Sequence, residues 1–207
     1  MKNFIVQKNN IPEDIINDLT ILINNLLNNL KDKSLVFTDE QLKKENPDTY
    51  KKLNDFYNKK DVYFTIRIST SDNNLNNQFH YDGHKKTIVI PLKFLNFTEN
   101  NNGDLLLSKK IRNNDGFILN LLKKILKQNI IYRYLSLKFN LEDFTKVKCD
   151  VGDEVLFSGF YTYHGNTIID PGKTRVSMIV HYDEFFSESK IFQFIKRIRH
   201  SKYKLNV

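Results

Sequence analysis

Two residues near the middle of the chain have the types and spacing of metal ligands: His80 and Asp82, in Phe79-His80-Tyr81-Asp82-Gly83. On an extended strand, residues i and i+2 point to the same face. One imidazole and one carboxylate therefore reach a single cation. A third ligand would complete a facial triad of two histidines and one carboxylate, which leaves adjacent coordination positions open and suits Fe(II) chemistry with oxygen. Taken alone, His-x-Asp is also what a strand histidine hydrogen-bonded to its neighbour looks like. Further along, Gly152-Asp153-Glu154-Val155-Leu156-Phe157 reads as a tight turn into a buried strand, and His164 follows within Tyr161-Thr162-Tyr163-His164-Gly165-Asn166. Arg175 comes next, within Gly172-Lys173-Thr174-Arg175-Val176-Ser177. Arg175 and Ser177 share a strand face, and a guanidinium fork beside a hydroxyl is a suitable receptor for a carboxylate. No Gly-rich phosphate loop, Ser-His-Asp triad or cysteine nucleophile is apparent.

These residues need elements to position them. Residues 11–31 read as a helix: Pro12 suits the first helical position, Glu13 and Asp14 the first turn, and Ile15, Leu19, Leu22, Leu26 and Leu30 return near a helical period. Residues 39–57 read as a second helix, broken at Pro47. No clear period-2 run precedes residue 61. From there Asp61–Thr70 alternates, with Phe64, Ile66 and Ile68 on one face and Tyr63, Thr65 and Arg67 on the other. That polar face is either solvated or turned into a barrel, where Arg67 and Tyr63 would meet a substrate anion. Further strands are predicted at 78–83, 86–95, 104–111, 144–149, 153–158, 160–165 and 174–182. An amphipathic helical insert at 116–138 interrupts them, with Lys123, Lys124 and Lys127 among Phe117, Leu121, Leu122 and Ile125. Ser187–Tyr203 reads as a basic helix. Its Lys196, Arg197, Arg199 and Lys202 suit either solvent or contact with an anionic membrane surface. Eight short strands without regular intervening helices argue for a closed or double-sheet β architecture rather than a Rossmann fold.

The 207 residues suit one domain: N-terminal helices to residue 60, a β core over 61–182 and the helix at 187–203. With 40% apolar and 27% charged residues, wholesale disorder is excluded. No apolar run approaches the roughly 20 residues of a membrane-spanning helix. The N-terminus lacks the apolar region of a secretory signal, and Cys149 is the single cysteine. Both point to a reducing, cytoplasmic setting and exclude an internal disulfide or a cysteine-based zinc site. The net charge of +8 would favour acidic partners, but the chain is Lys- and Asn-rich and lacks alanine, as biased codon usage would produce.

Taken in order, His80-x-Asp82, His164 and Arg175-x-Ser177 resemble the motif of the Fe(II)/2-oxoglutarate-dependent dioxygenases. The resemblance covers roughly residues 61–182. It implies a double-stranded β-helix, a distorted jelly roll of eight strands with an insert after the fourth. It implies that His80, Asp82 and His164 bind Fe(II) and that Arg175, with Ser177, holds the far carboxylate of 2-oxoglutarate. It also implies that O2 is consumed, with release of succinate and CO2. Because Asp82 is present, hydroxylation is favoured over halogenation. The turn Asn101-Asn102-Gly103-Asp104-Leu105 is similar to the phytanoyl-CoA dioxygenase-like branch, while Pro91–Asn96 and the His-x-Asp-Gly form are similar to prolyl hydroxylases. Lys173 is the alternative cosubstrate clamp. The nucleic-acid demethylase branch usually carries a second arginine six residues after the first; His181 stands there, which counts against nucleic acid as substrate. His84 reads as a surface loop residue, His181 as structural and His200 as exposed. A non-redox cupin-like isomerase or epimerase, or an anion-binding barrel without catalysis, are the rival readings. The substrate implied is a small molecule or a side chain.

Overall fold

The computed structural model describes residues 3–29, 35–59, 61–71, 79–96, 103–113, 119, 122 and 143–184. Helix α1 spans Glu13–Asn29, with Glu13 and Asp14 where the helix dipole favours acidic side chains. It buries Ile15, Leu19, Leu22 and Ile23. The second predicted helix is two. Helix α2 (Asp39–Glu45) starts in a capping box between Thr38 and Gln41, and α3 (Pro47–Tyr57) starts on Pro47, whose missing N–H costs nothing there. Among the described residues, no helix is long and apolar enough to cross a membrane.

Among the described residues nine strands follow the chain order: β1 (Phe4–Gln7), β2 (Leu35–Phe37), β3 (Tyr63–Thr70), β4 (His84–Leu95), β5 (Leu105–Ile111), β6 (Phe144–Val147), β7 (Glu154–Phe157), β8 (Thr162–Asn166) and β9 (Thr174–Glu184). They form two antiparallel sheets, a larger one ordered β1-β7-β4-β9-β3-β2 and a smaller one ordered β6-β5-β8. Strands β1 and β2 lie before residue 61, where no strand was expected. The strand predicted over 78–83 is replaced, in its described part, by a single bridge between His80 and His164. His84 opens β4 rather than lying in a loop. The predicted insert, apart from the exposed helical residues Leu119 and Leu122, and the predicted C-terminal helix lie outside the described residues.

The larger sheet is covered on both faces. One face carries Phe64, Ile66 and Ile68 of β3, Ile88 and Ile90 of β4, and Val176, Met178 and Val180 of β9. These pack against Leu19 and Ile23 of α1, Leu42 of α2 and Leu53 of α3. Across to the smaller sheet, Val89, Val155 and Phe157 meet Leu105, Leu107 and Val147 in a second apolar core. The alternate positions of β3 and β9 are mostly polar, Ile179 excepted, yet Thr65, Ser69, Arg175 and Ser177 are buried. A strand covered on both faces ordinarily reads as a continuous apolar run. Polar residues on the inner face therefore mark a cavity between the sheets.

Glu154, 1% exposed, accepts hydrogen bonds from Tyr57 Oη at 2.6 Å and Asn10 Nδ2 at 2.7 Å. This ties α3 and the chain before α1 to β7, an interior strand of the larger sheet. Burial and the adjacent carboxylate raise the Tyr57 hydroxyl pKa far above its ordinary value, so it stays a donor. Phe64 is fully buried and packs against the rings of Tyr50 and Tyr57 at 5.8 and 5.9 Å. Phe64→Ala is expected to cost about 3–5 kcal/mol in denaturant unfolding, the usual toll of a large core truncation. A loss under about 1 kcal/mol would show that the helical layer is not packed as described.

Candidate functional site

His80 and Asp82 lie on an irregular segment, so contacts other than a strand ladder must hold them. His80 and His164 exchange backbone hydrogen bonds at 2.8 and 3.0 Å, and Asp82 N donates to Gly159 O at 3.0 Å. The flanking side chains lock this arrangement. Phe79 packs on Tyr163 and Phe144, and Tyr81 packs on Tyr163. The guanidinium of Arg112 lies between the rings of Tyr81 and Phe160, 4.0 Å from each centroid. This cation–π sandwich joins the His80–Asp82 segment to the turn before β8. Glycines let the backbones approach. A Cβ on Gly165 would come within 2.8 Å of the Phe79 ring, and one on Gly159 would overlap both Thr87 Oγ1 and the Asp82 carboxylate.

The result is a cluster of three. The ligand atoms of His80, Asp82 and His164 all lie within 4.8 Å of one another. His80 Nε2 is 3.3 Å from Asp82 Oδ1, and His164 Nε2 is 3.4 Å from Asp82 Oδ2. His164 Nδ1 is 2.9 Å from Thr162 O. A carbonyl only accepts, so Nδ1 carries the proton, and in the neutral ring Nε2 presents a lone pair. That lone pair faces a carboxylate oxygen, an arrangement that calls for a cation between them. Burial alone would push the Asp82 carboxyl up. When they carry a second proton, the His164 and His181 imidazoles, with contacts from His164 and His80, outweigh it and hold Asp82 well below the usual carboxylate range; a metal cation would take the place of that proton at His164 Nε2. The donor set of two imidazoles and one carboxylate fits a divalent first-row metal such as Fe(II).

Arg175 and Ser177 of β9 line the same cavity as His80, Asp82 and His164, with Arg67 and Ser69 of β3. Arg67 faces Ser177 and Ser69 faces Arg175 across the ladder. Arg175, 4% exposed, donates from Nε to Ser177 Oγ at 2.9 Å and from Nη1 to Gly103 O. Burial lowers its pKa, with Arg67 acting in the same direction. A guanidinium remains charged even so. Gly103 has φ +68°, and a Cβ there would lie 2.8 Å from Ile169 Cγ1 and 3.4 Å from Arg175 Cδ. Glycine thus supplies both the left-handed turn and the room for the Arg175 contact.

Lys173 precedes β9 and forms a 2.9 Å ion pair with Asp170. Tyr63 stands opposite His181 at the start of β3. Burial and Asp39 raise its hydroxyl pKa, and it is not among the described residues that line the cavity. Thr87 and His181 line the cavity, and neither was expected at a functional site. His181 Nδ1 is 3.7 Å from Asp82 Oδ2, and its ring stacks on His84 at 5.0 Å. The backbone approach of Gly159 was equally hidden in the sequence. Gly159→Ala is expected to displace Asp82 and lower divalent-metal affinity while far-ultraviolet circular dichroism stays as in the parent. Unchanged affinity would contradict the close approach.

This layered pair of antiparallel sheets, with the His80–His164 bridge between the two segments that carry the cluster, is a double-stranded β-helix. No family model matches the sequence, and no curated protein matches it. Solved structures do. HygX from Streptomyces hygroscopicus, solved with nickel and 2-oxoglutarate bound, aligns with 91% of this chain and 85% of its own, at TM-score 0.57 and 10% identity. A prolyl hydroxylase from Trichoplax adhaerens, in complex with a hypoxia inducible factor oxygen degradation domain peptide fragment, covers 88% of this chain and 84% of its own (TM-score 0.53, 11% identity). SnoN, a non-heme alpha ketoglutarate dependent epimerase from nogalamycin biosynthesis, covers 87% and 78% (TM-score 0.51, 9% identity). At these identities the likeness is one of fold.

Proposed function

We propose that the chain is an Fe(II)- and 2-oxoglutarate-dependent oxygenase that hydroxylates a small molecule or a side chain. The observation that carries the reading is His164 Nε2 set 3.4 Å from the Asp82 carboxylate, with His80 closing the cluster and Arg175 buried in the same cavity. His80, Asp82 and His164 would hold the metal. Arg175 and Ser177 would hold and orient the far carboxylate of the cosubstrate. When bound, iron and 2-oxoglutarate supply the oxidation of a substrate C–H bond by O2, with succinate and CO2 released. Val89, Leu105 and Ile179 line the same cavity and limit water beside the reacting groups. Arg67 faces the cavity from β3 and is the candidate contact for an anionic group of the substrate.

The outcome of the oxidation is a finer question, because the same fold serves the epimerase SnoN. Arg175 buried beside the cluster argues against a non-redox cupin-like isomerase, and the three converging side chains argue against a metal-free barrel. The test is calorimetric titration of 2-oxoglutarate without oxygen into metal-free and Mn(II)-loaded protein. Tight binding only to the loaded form supports the reading. Equal binding to both forms, or to neither, contradicts it.

A further inference from the structure

We propose that Thr87 and His181 position Asp82 through one directed chain of hydrogen bonds, from His181 Nδ1–H to Thr87 Oγ1 and from Thr87 O–H to Asp82 Oδ2. The proposal rests on reading His80, Asp82 and His164 as metal ligands, and it assigns positioning residues that the motif itself does not contain. The pairing of β4 with β9 sets Thr87 directly opposite His181. Thr87 Oγ1 lies 2.5 Å from Asp82 Oδ2 and 3.1 Å from His181 Nδ1.

The direction follows from counting protons. An ionised carboxylate only accepts, so the single hydroxyl proton of Thr87 goes to Asp82. Towards His181 the hydroxyl then has only lone pairs to offer, so His181 Nδ1 carries the proton. Thr87 is 1% exposed, which leaves it little contact with water as an alternative partner. The surroundings hold each member in place. The His84 ring stacks on His181 at an interplanar angle of 17°. Gly159 presses against Thr87 and Asp82 where any Cβ would overlap them.

The consequence concerns how the carboxylate is presented to a metal. A free carboxylate turns about its Cβ–Cγ bond and offers either oxygen, or both. With Oδ2 engaged by Thr87, that rotation is arrested before a metal arrives: Oδ1 stays beside His80 Nε2 at 3.3 Å and Oδ2 beside His164 Nε2 at 3.4 Å, so the carboxylate faces both imidazoles at once. Affinity is then gained through preorganisation rather than through an added ligand.

The test is Mn(II) binding by titration calorimetry, with the paramagnetic resonance spectrum of the bound ion as a second readout. Thr87→Val keeps the shape and removes the hydroxyl. It should weaken Mn(II) binding by about 10–100-fold, the usual effect of losing a partner of a metal ligand, and it should alter the spectrum. Thr87→Ser restores the donor and should restore both. His181→Phe should weaken binding as well, and the double variant Thr87→Val/His181→Phe should be no weaker than Thr87→Val alone, because His181 acts through Thr87. If Thr87→Val does not fold, His181→Asn against His181→Phe makes the same comparison, since the amide N–H can donate where Nδ1 did. Parental affinity in Thr87→Val, or multiplied losses in the double variant, would overturn the chain. Unaltered protein that binds no Mn(II) would overturn the metal centre itself, and the proposal with it.

Discussion

Asp82→Ala is expected to abolish specific divalent-metal binding, and with it turnover. Asp82 stands between His80 and His164, at 3.3 and 3.4 Å from their Nε2 atoms, and is the one carboxylate of the cluster. Losing a mere partner of a ligand costs roughly 10–100-fold in affinity, so losing the anionic ligand should cost more. His80→Ala and His164→Ala should follow the same direction. His164 carries a further expectation, because its ring is oriented by the Nδ1 contact to Thr162 O. His164→Gln cannot reproduce that bond and the Nε2 lone pair together. Metal titration followed by calorimetry checks all three. Parental affinity in any variant would remove that residue from the centre.

Arg175→Met is expected to weaken 2-oxoglutarate binding by on the order of 2–5 kcal/mol, roughly thirtyfold to several-thousandfold. Methionine keeps most of the length and removes the charge. The magnitude rests on burial: at 4% exposure, solvent cannot replace the lost guanidinium beside an anion. Lys173→Met should change cosubstrate binding far less, since Asp170 already neutralises that ammonium at 2.9 Å. The two variants decide the clamp. Loss of binding in the lysine variant with retention in the arginine variant would reverse the assignment. The metal affinity of Arg175→Met should stay near the parent, which separates cosubstrate binding from damage to the ligand cluster.

The elements nearest the cavity were the most legible in the sequence. Strand β3 alternates cleanly, so Phe64, Ile66 and Ile68 announced its apolar face, and β9 was legible as a strand. The polar alternates were ambiguous, because Thr65 and Arg67 read equally well as a solvated face. Only the second sheet, packed through Leu105 and Leu107, turns that face inward. Strands β1 and β2 have four and three residues, too short for a period to show. The segment around His80 reads as a strand because its ligands alternate, yet a single bridge and a ring of aromatic contacts do that work. Thr87 and His181 could not be found locally. They lie 94 positions apart, and strand pairing alone makes them neighbours. Gly159 was silent for a related reason: its role is the absence of a Cβ against a side chain 77 positions earlier, Asp82.

The central claim is that the cluster and Arg175 serve one reaction, the oxidative decarboxylation of 2-oxoglutarate. Its most direct measurement is succinate formed when protein loaded with Fe(II) and 2-oxoglutarate under anaerobic conditions is exposed to air. The account predicts succinate from the parent even without a prime substrate, at a slow uncoupled rate, and none above the protein-free control from Asp82→Ala. Succinate at the same level in the parent and in Asp82→Ala would contradict it, as would a fully metal-loaded parent that forms none.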